Sequence, residues 1–86
     1  MGSEQSGELN ILCFGPARAV TGTSTLRYVH RIPCSVAELR QSILRDYPAF
    51  GSIEMLRIAV DQSYADDVQT IQGDEEIALI LPVSGG

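Results

Sequence analysis

Along the chain the spacing of apolar positions changes from stretch to stretch, and each change marks an element. Leu9-Asn10-Ile11-Leu12-Cys13-Phe14 is a short, nearly continuous apolar run, the pattern of a strand covered on both faces. The connection from Gly15 to Ser24 contains two glycines and a proline. It is too long for a tight hairpin, so it forms a short turn of helix or has a use of its own. Next, Leu26, Tyr28, His30 and Ile32 alternate with Arg27, Val29 and Arg31, and a period of two predicts a half-buried strand.

Pro33 and Cys34 stop that strand, and Ser35-Val36-Ala37-Glu38 reads as a capping box, with the Ser35 hydroxyl and the Glu38 carboxylate each accepting the other's backbone N–H. The helix it opens presents Val36, Leu39, Ile43 and Tyr47 on one face and turns Arg40, Gln41 and Arg45 elsewhere. Pro48 disfavours helix at Tyr47, which limits it to about 13 residues, or ~20 Å. Leu56, Ile58 and Val60 then alternate with Arg57, Ala59 and Asp61 as another strand. A polar stretch through Tyr64, Asp66 and Asp67 leads to a weak strand over Val68 to Ile71, and Gly73-Asp74 is a turn. Ile77-Ala78-Leu79-Ile80-Leu81 is apolar at every position, which predicts a central strand; Pro82, with no N–H to donate, ends its ladder.

One helix covers one sheet. The order strand, strand, helix, strand, short strand, strand therefore predicts an α+β, β-grasp fold: a mixed sheet of roughly four to five strands with one main helix packed across it. The all-apolar first and last strands belong in its middle, parallel to each other. The expected organisation is a disordered N-terminal tail over 1–8, a β-grasp domain over 9–81 and a flexible tail over 82–86.

Composition narrows the function. The chain has 86 residues, near the low end for a single core, and is 44% hydrophobic and 20% charged, the balance of a globular protein. No apolar run reaches the ~18 residues of a membrane span, and Met1 to Glu8 lacks the basic-then-apolar order of a secretory signal, so a cytoplasmic location is expected. Residues 1–57 hold all six arginines and five acids; residues 58–86 hold six acids and no base; lysine is absent. Nucleic acid and anionic membrane are excluded as partners, because phosphate contacts need clustered cations. A basic protein surface is the natural complement to the acidic end.

Enzyme chemistry finds little support. His30, the single histidine, lies in a strand pattern with no Ser or Cys nucleophile near it in sequence, and reads as a strand histidine. Cys13 shares a face with Leu9 and Ile11 and reads as core. Cys34 precedes a helix N-terminus, yet has neither a base nor a second cysteine beside it, and reads as an unreactive buried thiol. Asp66, Asp67, Asp74, Glu75 and Glu76 do not have the spacing of a calcium loop and read as a solvated acidic face, so no metal site is expected.

The last residues are different. Pro82-Val83-Ser84-Gly85-Gly86 follows the central strand directly. A terminal glycine pair arises by chance in roughly 1 chain in 200, and glycine, lacking Cβ, fits a channel that excludes side chains. Extended, this segment reaches roughly 17 Å. From Ile77 onward no side chain is charged, so the α-carboxylate is the one charge the tail brings into a site. That group is ionised and unreactive until something activates it.

From Leu9 to Gly86 the chain resembles the small, sulfur-carrying subunits of molybdopterin synthase. The most specific piece is Pro82-Val83-Ser84-Gly85-Gly86; Glu76-Ile77-Ala78, Ala59-Val60-Asp61-Gln62 with Tyr64, Phe14 with Ala17-Arg18, and Thr21-Gly22-Thr23 support it. Leu81, Cys13, Ala19 and the turn Asp74-Glu75-Glu76 depart from the family pattern. The resemblance implies that an ATP-dependent activating enzyme adenylates Gly86 and that sulfur transfer converts the glycyl adenylate into a thiocarboxylate, a C-terminal thioglycine. The tail, Pro82, Val83, Ser84 and Gly85, then enters the large synthase subunit, where sulfur is donated to cyclic pyranopterin monophosphate to build the molybdopterin dithiolene. It implies a heterotetramer with the catalytic residues on the large subunit, no intrinsic cofactor, and ATP used only by the activating enzyme. Phe14 and Leu79 are candidates for apolar docking, and Arg18 for contact with the tail or the activating enzyme. Three rivals remain open: a sulfur carrier for thiamine or tRNA thiolation, a ubiquitin-like modifier joined to lysines, and an interaction module with an inert tail.

Overall fold

The structure, a computed structural model, describes residues 5–52 and 55–81. Strand β1 (Gln5–Cys13) turns through a short helix α1 (Pro16–Thr21) into β2 (Thr25–Ile32). A two-residue β3 (Cys34–Ser35) leads into the main helix α2 (Val36–Asp46), followed by a 3₁₀ turn at Pro48–Phe50. The remaining strands are β4 (Arg57–Val60), β5 (Ser63–Tyr64), β6 (Thr70–Ile71) and β7 (Ile77–Ile80). Five of them form one sheet in the order β2-β1-β7-β4-β5, while β3 and β6 pair separately. The fold is the β-grasp that the hydrophobic pattern predicts, with β1 and β7 central and parallel, Ile11 beside Ile77 and Cys13 beside Leu79. Among the described residues no helix is long and apolar enough to cross a membrane.

Alternation sorts side chains to the two sides of the sheet. Leu9, Ile11 and Cys13 of β1, Leu26 and Tyr28 of β2, Ile58 and Val60 of β4, and Ile77 and Leu79 of β7 point toward α2 and are buried. The helix answers with Val36, Leu39 and Ile43, each 0% exposed. Its start is fixed by the expected capping box: Glu38 N–H donates to Ser35 Oγ at 3.1 Å, and Ser35 N–H donates to Glu38 Oε1 at 2.8 Å.

Several local features differ from the sequence-based expectations, each for a tertiary reason. β1 begins at Gln5 rather than at Leu9, because the hairpin ladder carries Gln5 to Glu8 alongside Val29 to Ile32. The long connection after β1 takes the helical option, with Ala17 of α1 buried and Gly22 closing it at φ 79°. α2 spans 11 residues and stops at Asp46, where Tyr47 caps it. Tyr64, expected in a polar connection, is half of β5. Val68, expected in the weak strand, is outside β6 and exposed.

Arg40, expected off the apolar face of α2, is nevertheless only 8% exposed. The segment leading into β6 lies across the first turn of α2, where Val36 N–H donates to Gln69 O and Ala37 N–H to Asp67 O. These bonds satisfy amides that a helix start leaves without partners. They also bring the Asp67 carboxylate to the Arg40 guanidinium, and a buried cation requires such a pair. Asp67 stays 60% exposed on the expected acidic face, yet its carboxylate also closes a helix–loop clamp.

Tyr28 makes a second clamp between sheet and helix, donating from its phenol to Asp46 Oδ2 at 2.5 Å. Burial, then the hydrogen bond to Asp46 and its charge, push the phenol from 10.0 up to about 12. The Tyr28 hydrogen bond in turn holds the Asp46 carboxyl below its ordinary value. A proton held more tightly in the folded state stabilises it below the unfolded pKa, so the Tyr28 contribution is complete below about pH 10 and is lost as pH rises through about 12. Ultraviolet titration of phenolate should show one of the three tyrosines ionising near 12, and Asp46→Asn should bring it back toward 10. An unchanged midpoint in the variant would remove Asp46 from the account.

Candidate functional site

The sheet has a second side, facing away from α2, and there the same alternation produces an unusual surface. Ladder registers place Leu12, Ala78, Ala59 and Tyr64 side by side across β1, β7, β4 and β5. The row runs large, small, small, large, so the two alanines form a floor between taller walls. The next row sets Ile80 opposite Arg57. With Phe14 closing one end, Leu12, Ala59, Tyr64, Ala78 and Ile80 line an open apolar trough of about 450 Å³, rimmed by Gln62 and Glu76. Phe14 is 58% and Tyr64 64% exposed. Exposed rings grouped beside other apolar side chains make this face a candidate contact surface.

The trough is built rigidly. Its floor is on β7 and β4, whose reverse sides carry Ile77, Leu79, Ile58 and Val60 in the core. The β4–β5 turn, Asp61-Gln62, has φ of 52° and 72°, a left-handed conformation at two non-glycine residues. It is tied to the start of β7: Asp61 N–H donates to Glu76 O at 2.8 Å, and Glu76 N–H donates to Asp61 Oδ1 at 3.0 Å. On the wall, the Arg57 guanidinium sits 5.8 Å from the centre of the Tyr64 ring, so its charge faces the aromatic surface.

The residues expected from sequence are distributed unevenly around this trough. Phe14 lines it. Leu79 does not: it is 0% exposed and points to α2, because β7 alternates and the outward places belong to Ala78 and Ile80. Leu79 is a core residue, and its expected docking role is withdrawn. Arg18 is exposed in the last turn of α1 and is not among the residues of the trough. Pro82, Val83, Ser84, Gly85 and Gly86 lie outside the described residues. Ala59, Tyr64 and Ala78 carry part of the resemblance, but neither they nor Leu12 and Ile80 were expected to dock a partner. The signal was present in β7, where an unbroken apolar strand needs cover on both sides and α2 supplies only one.

The other titratable groups serve the scaffold. Cys13 and Cys34 are buried, and burial first, then the charge of Glu38, pushes the Cys34 thiol up, away from reactivity. The fold does bring a hydroxyl to His30: Ser42 Oγ lies 3.0 Å from its Nε2. Its Nδ1 lies 2.8 Å from Arg31 O, and a carbonyl only accepts, so Nδ1 carries the proton and the ring bridges β2 to α2. Among the described residues no group of three or more His, Cys, Asp or Glu side chains is placed to hold a metal ion.

Residues 11–86 match the model of the ThiS family. A Caenorhabditis briggsae protein named molybdopterin synthase sulfur carrier subunit is 37% identical over 81 residues, 91% of this chain and 96% of the relative. An Arabidopsis thaliana protein of the same name is 26% identical, covering 94% of this chain and 85% of the relative. Among solved structures, small archaeal modifier protein 1 of Haloferax volcanii superposes with a TM-score of 0.72 at 17% identity, covering 90% of this chain and 99% of that one.

Opposite sides of the same sheet should respond differently to truncation. Leu79→Ala, inside the core, should cost about 2–5 kcal/mol in urea unfolding. Phe14→Ala, in the trough, should stay within about 0.5 kcal/mol of the parent at unchanged denaturant slope. Equal losses would mean that Phe14 belongs to the core.

Proposed function

The chain belongs to the ThiS family, and on that premise we propose that it is the sulfur carrier subunit of a molybdopterin synthase, with the Gly86 carboxyl as its reactive group. The observation that carries this reading is that the match to named carrier subunits extends over nearly the whole length on both sides, and the family match runs through Gly85-Gly86. The rest follows from what a carboxylate can do. Ionised at neutral pH, it is a poor electrophile, so a carrier needs an outside enzyme to convert it into an acyl adenylate using ATP. A sulfur nucleophile then displaces AMP at the Gly86 carbonyl, forming the C–S bond as the C–O bond to phosphate breaks. The product is a thiocarboxylate. That sulfur is delivered to cyclic pyranopterin monophosphate in the large synthase subunit, one delivery for each dithiolene sulfur.

This chain's part is presentation. Gly85 and Gly86 have no Cβ and suit a narrow channel, with Pro82, Val83 and Ser84 as its entrance contacts. The segment follows β7, a strand held on both sides, so docking of the sheet sets where the tail enters a partner. Positioning of this kind is a large part of what a group-transfer site needs. The apolar trough beside β7 is the natural seat for the large subunit or the activating enzyme, with Phe14, Ile80 and Tyr64 as anchors. The assembly follows the heterotetramer implied by the resemblance, with one carrier at each end, in the cytoplasm.

Intact mass after incubation with ATP, a sulfide donor and the cognate activating enzyme tests the assignment. A gain of about 16 Da, sulfur for oxygen, is expected, and it should disappear when the cognate large subunit and the pterin precursor are added. Retention of that sulfur would exclude molybdopterin synthesis as the destination. A product joined to a lysine would identify a modifier instead. Deleting Gly86, or adding one residue after it, should reduce cofactor formation to background while leaving the unfolding curve of the sheet unchanged.

A further inference from the structure

β2 is the outer strand of the sheet, and the bonding along it can be assigned residue by residue. Cys13 N–H donates to Ser24 O at 2.9 Å, one step beyond the Leu12–Thr25 pair of the hairpin. Antiparallel pairs alternate between bonded and unbonded, so Leu26, Tyr28, His30 and Ile32 turn their backbone groups toward β1. Thr25, Arg27, Val29 and Arg31 turn theirs to the open edge. Both ends of that edge are capped by side chains. The Thr23 hydroxyl donates to Thr25 O at 3.0 Å and lies 3.3 Å from Thr25 N, whose N–H it accepts, while His30 Nδ1–H covers Arg31 O. Among the described residues nothing takes the outward N–H and C=O of Arg27 and Val29. The result is a short open window between two caps.

The side chains around the window select its occupant. Val29 is 67% exposed, and Arg27 and Arg31 flank it on the same face. Below the edge, His30, Gln41, Ser42 and Arg45 line a polar groove of about 650 Å³ between β2 and α2. Among the described residues the neighbouring acids are Glu8, paired with Val29 one strand inward, and Glu38, already joined to Arg31 at 3.2 Å. A second copy of this chain fits badly. Symmetric antiparallel pairing about Val29 would set each Arg27 directly across from the other copy's Arg31, and like charges facing each other in a ladder are destabilising.

We propose that the Arg27–Val29 window is a strand-addition site for an extended partner segment carrying an acid, an apolar residue and an acid at alternate positions. The acids would face Arg27 and Arg31, the apolar residue Val29, and the intervening side chains the polar groove. The pattern is palindromic, so either strand direction gives the same pairing. The site is separate from the trough, and stands independently of the carrier assignment.

A capped five-residue peptide, glutamate-threonine-valine-threonine-glutamate, titrated into the ¹⁵N-labelled full chain is the direct probe. Shift changes and slowed hydrogen exchange are expected at the Arg27 and Val29 amides. Methylating the backbone nitrogens of the peptide that face the edge should weaken binding about tenfold, the equivalent of one or two backbone hydrogen bonds. Val29→Pro removes an outward N–H at an edge position where proline is tolerated, and should have the same effect. The double reversal R27E/R31E leaves the backbone intact and should exchange the preference for one toward the lysine version of the peptide. Equal binding of both peptides to the parent chain, shifts confined to the Phe14–Ile80 face, or self-association through β2 would each overturn the proposal.

Discussion

The parallel ladder between β1 and β7 is the constraint on which the other features depend. It brings the first and last strands of the sheet together in its middle, so everything between them must fold outward to one side or the other. β2 closes one flank as a hairpin, β4 and β5 close the opposite flank, and α2 covers the face where Leu9, Ile11, Cys13, Ile77 and Leu79 meet, each no more than 1% exposed. Burying a residue of leucine or isoleucine size contributes about 1.5–3 kcal/mol, so the ladder is also where stability is concentrated. Leu81, the last described residue, directly follows a strand at the centre of the sheet, not at an edge.

That ladder also explains why some of the molecule is legible in sequence and some is not. Strand periodicity, the Ser35–Glu38 capping box and the central place of the apolar runs are local signals, and local physics is enough to read them. The burial of Arg40 and of Leu79 was not legible, for one shared reason. Period and hydrophobicity show that a residue has a side, but which side is covered depends on a neighbour remote in sequence. For Arg40 that neighbour is the segment from Asp67 to Gln69; for Leu79 it is α2. The trough escaped notice because its floor is made of Ala59 and Ala78, residues that carry little signal alone and acquire meaning only when the ladder sets them side by side.

The acids of the last third acquire specific roles in the fold. Asp61 fastens the strained β4–β5 turn to β7, Asp67 neutralises a buried arginine, and Glu75 accepts the N–H groups of Gln72 and Gly73 in the turn before β7. Composition alone reads this region as a solvated acidic surface. Half of its logic is instead backbone satisfaction, which charge counting cannot see.

The two exposed recognition features differ in the kind of contact they offer. The trough presents shape and apolar area, so a partner gains there by excluding water. The β2 edge presents unmade backbone bonds flanked by arginines, so a partner gains there by completing a ladder. They are on different strands, and Phe14 and Ile80 lie near the end of the hairpin where β1 finishes, while Val29 and Arg31 lie beside Glu8 and Ser6 near its start. One sheet thus offers an apolar contact and an open edge flanked by cations, and the two select partners of opposite chemistry.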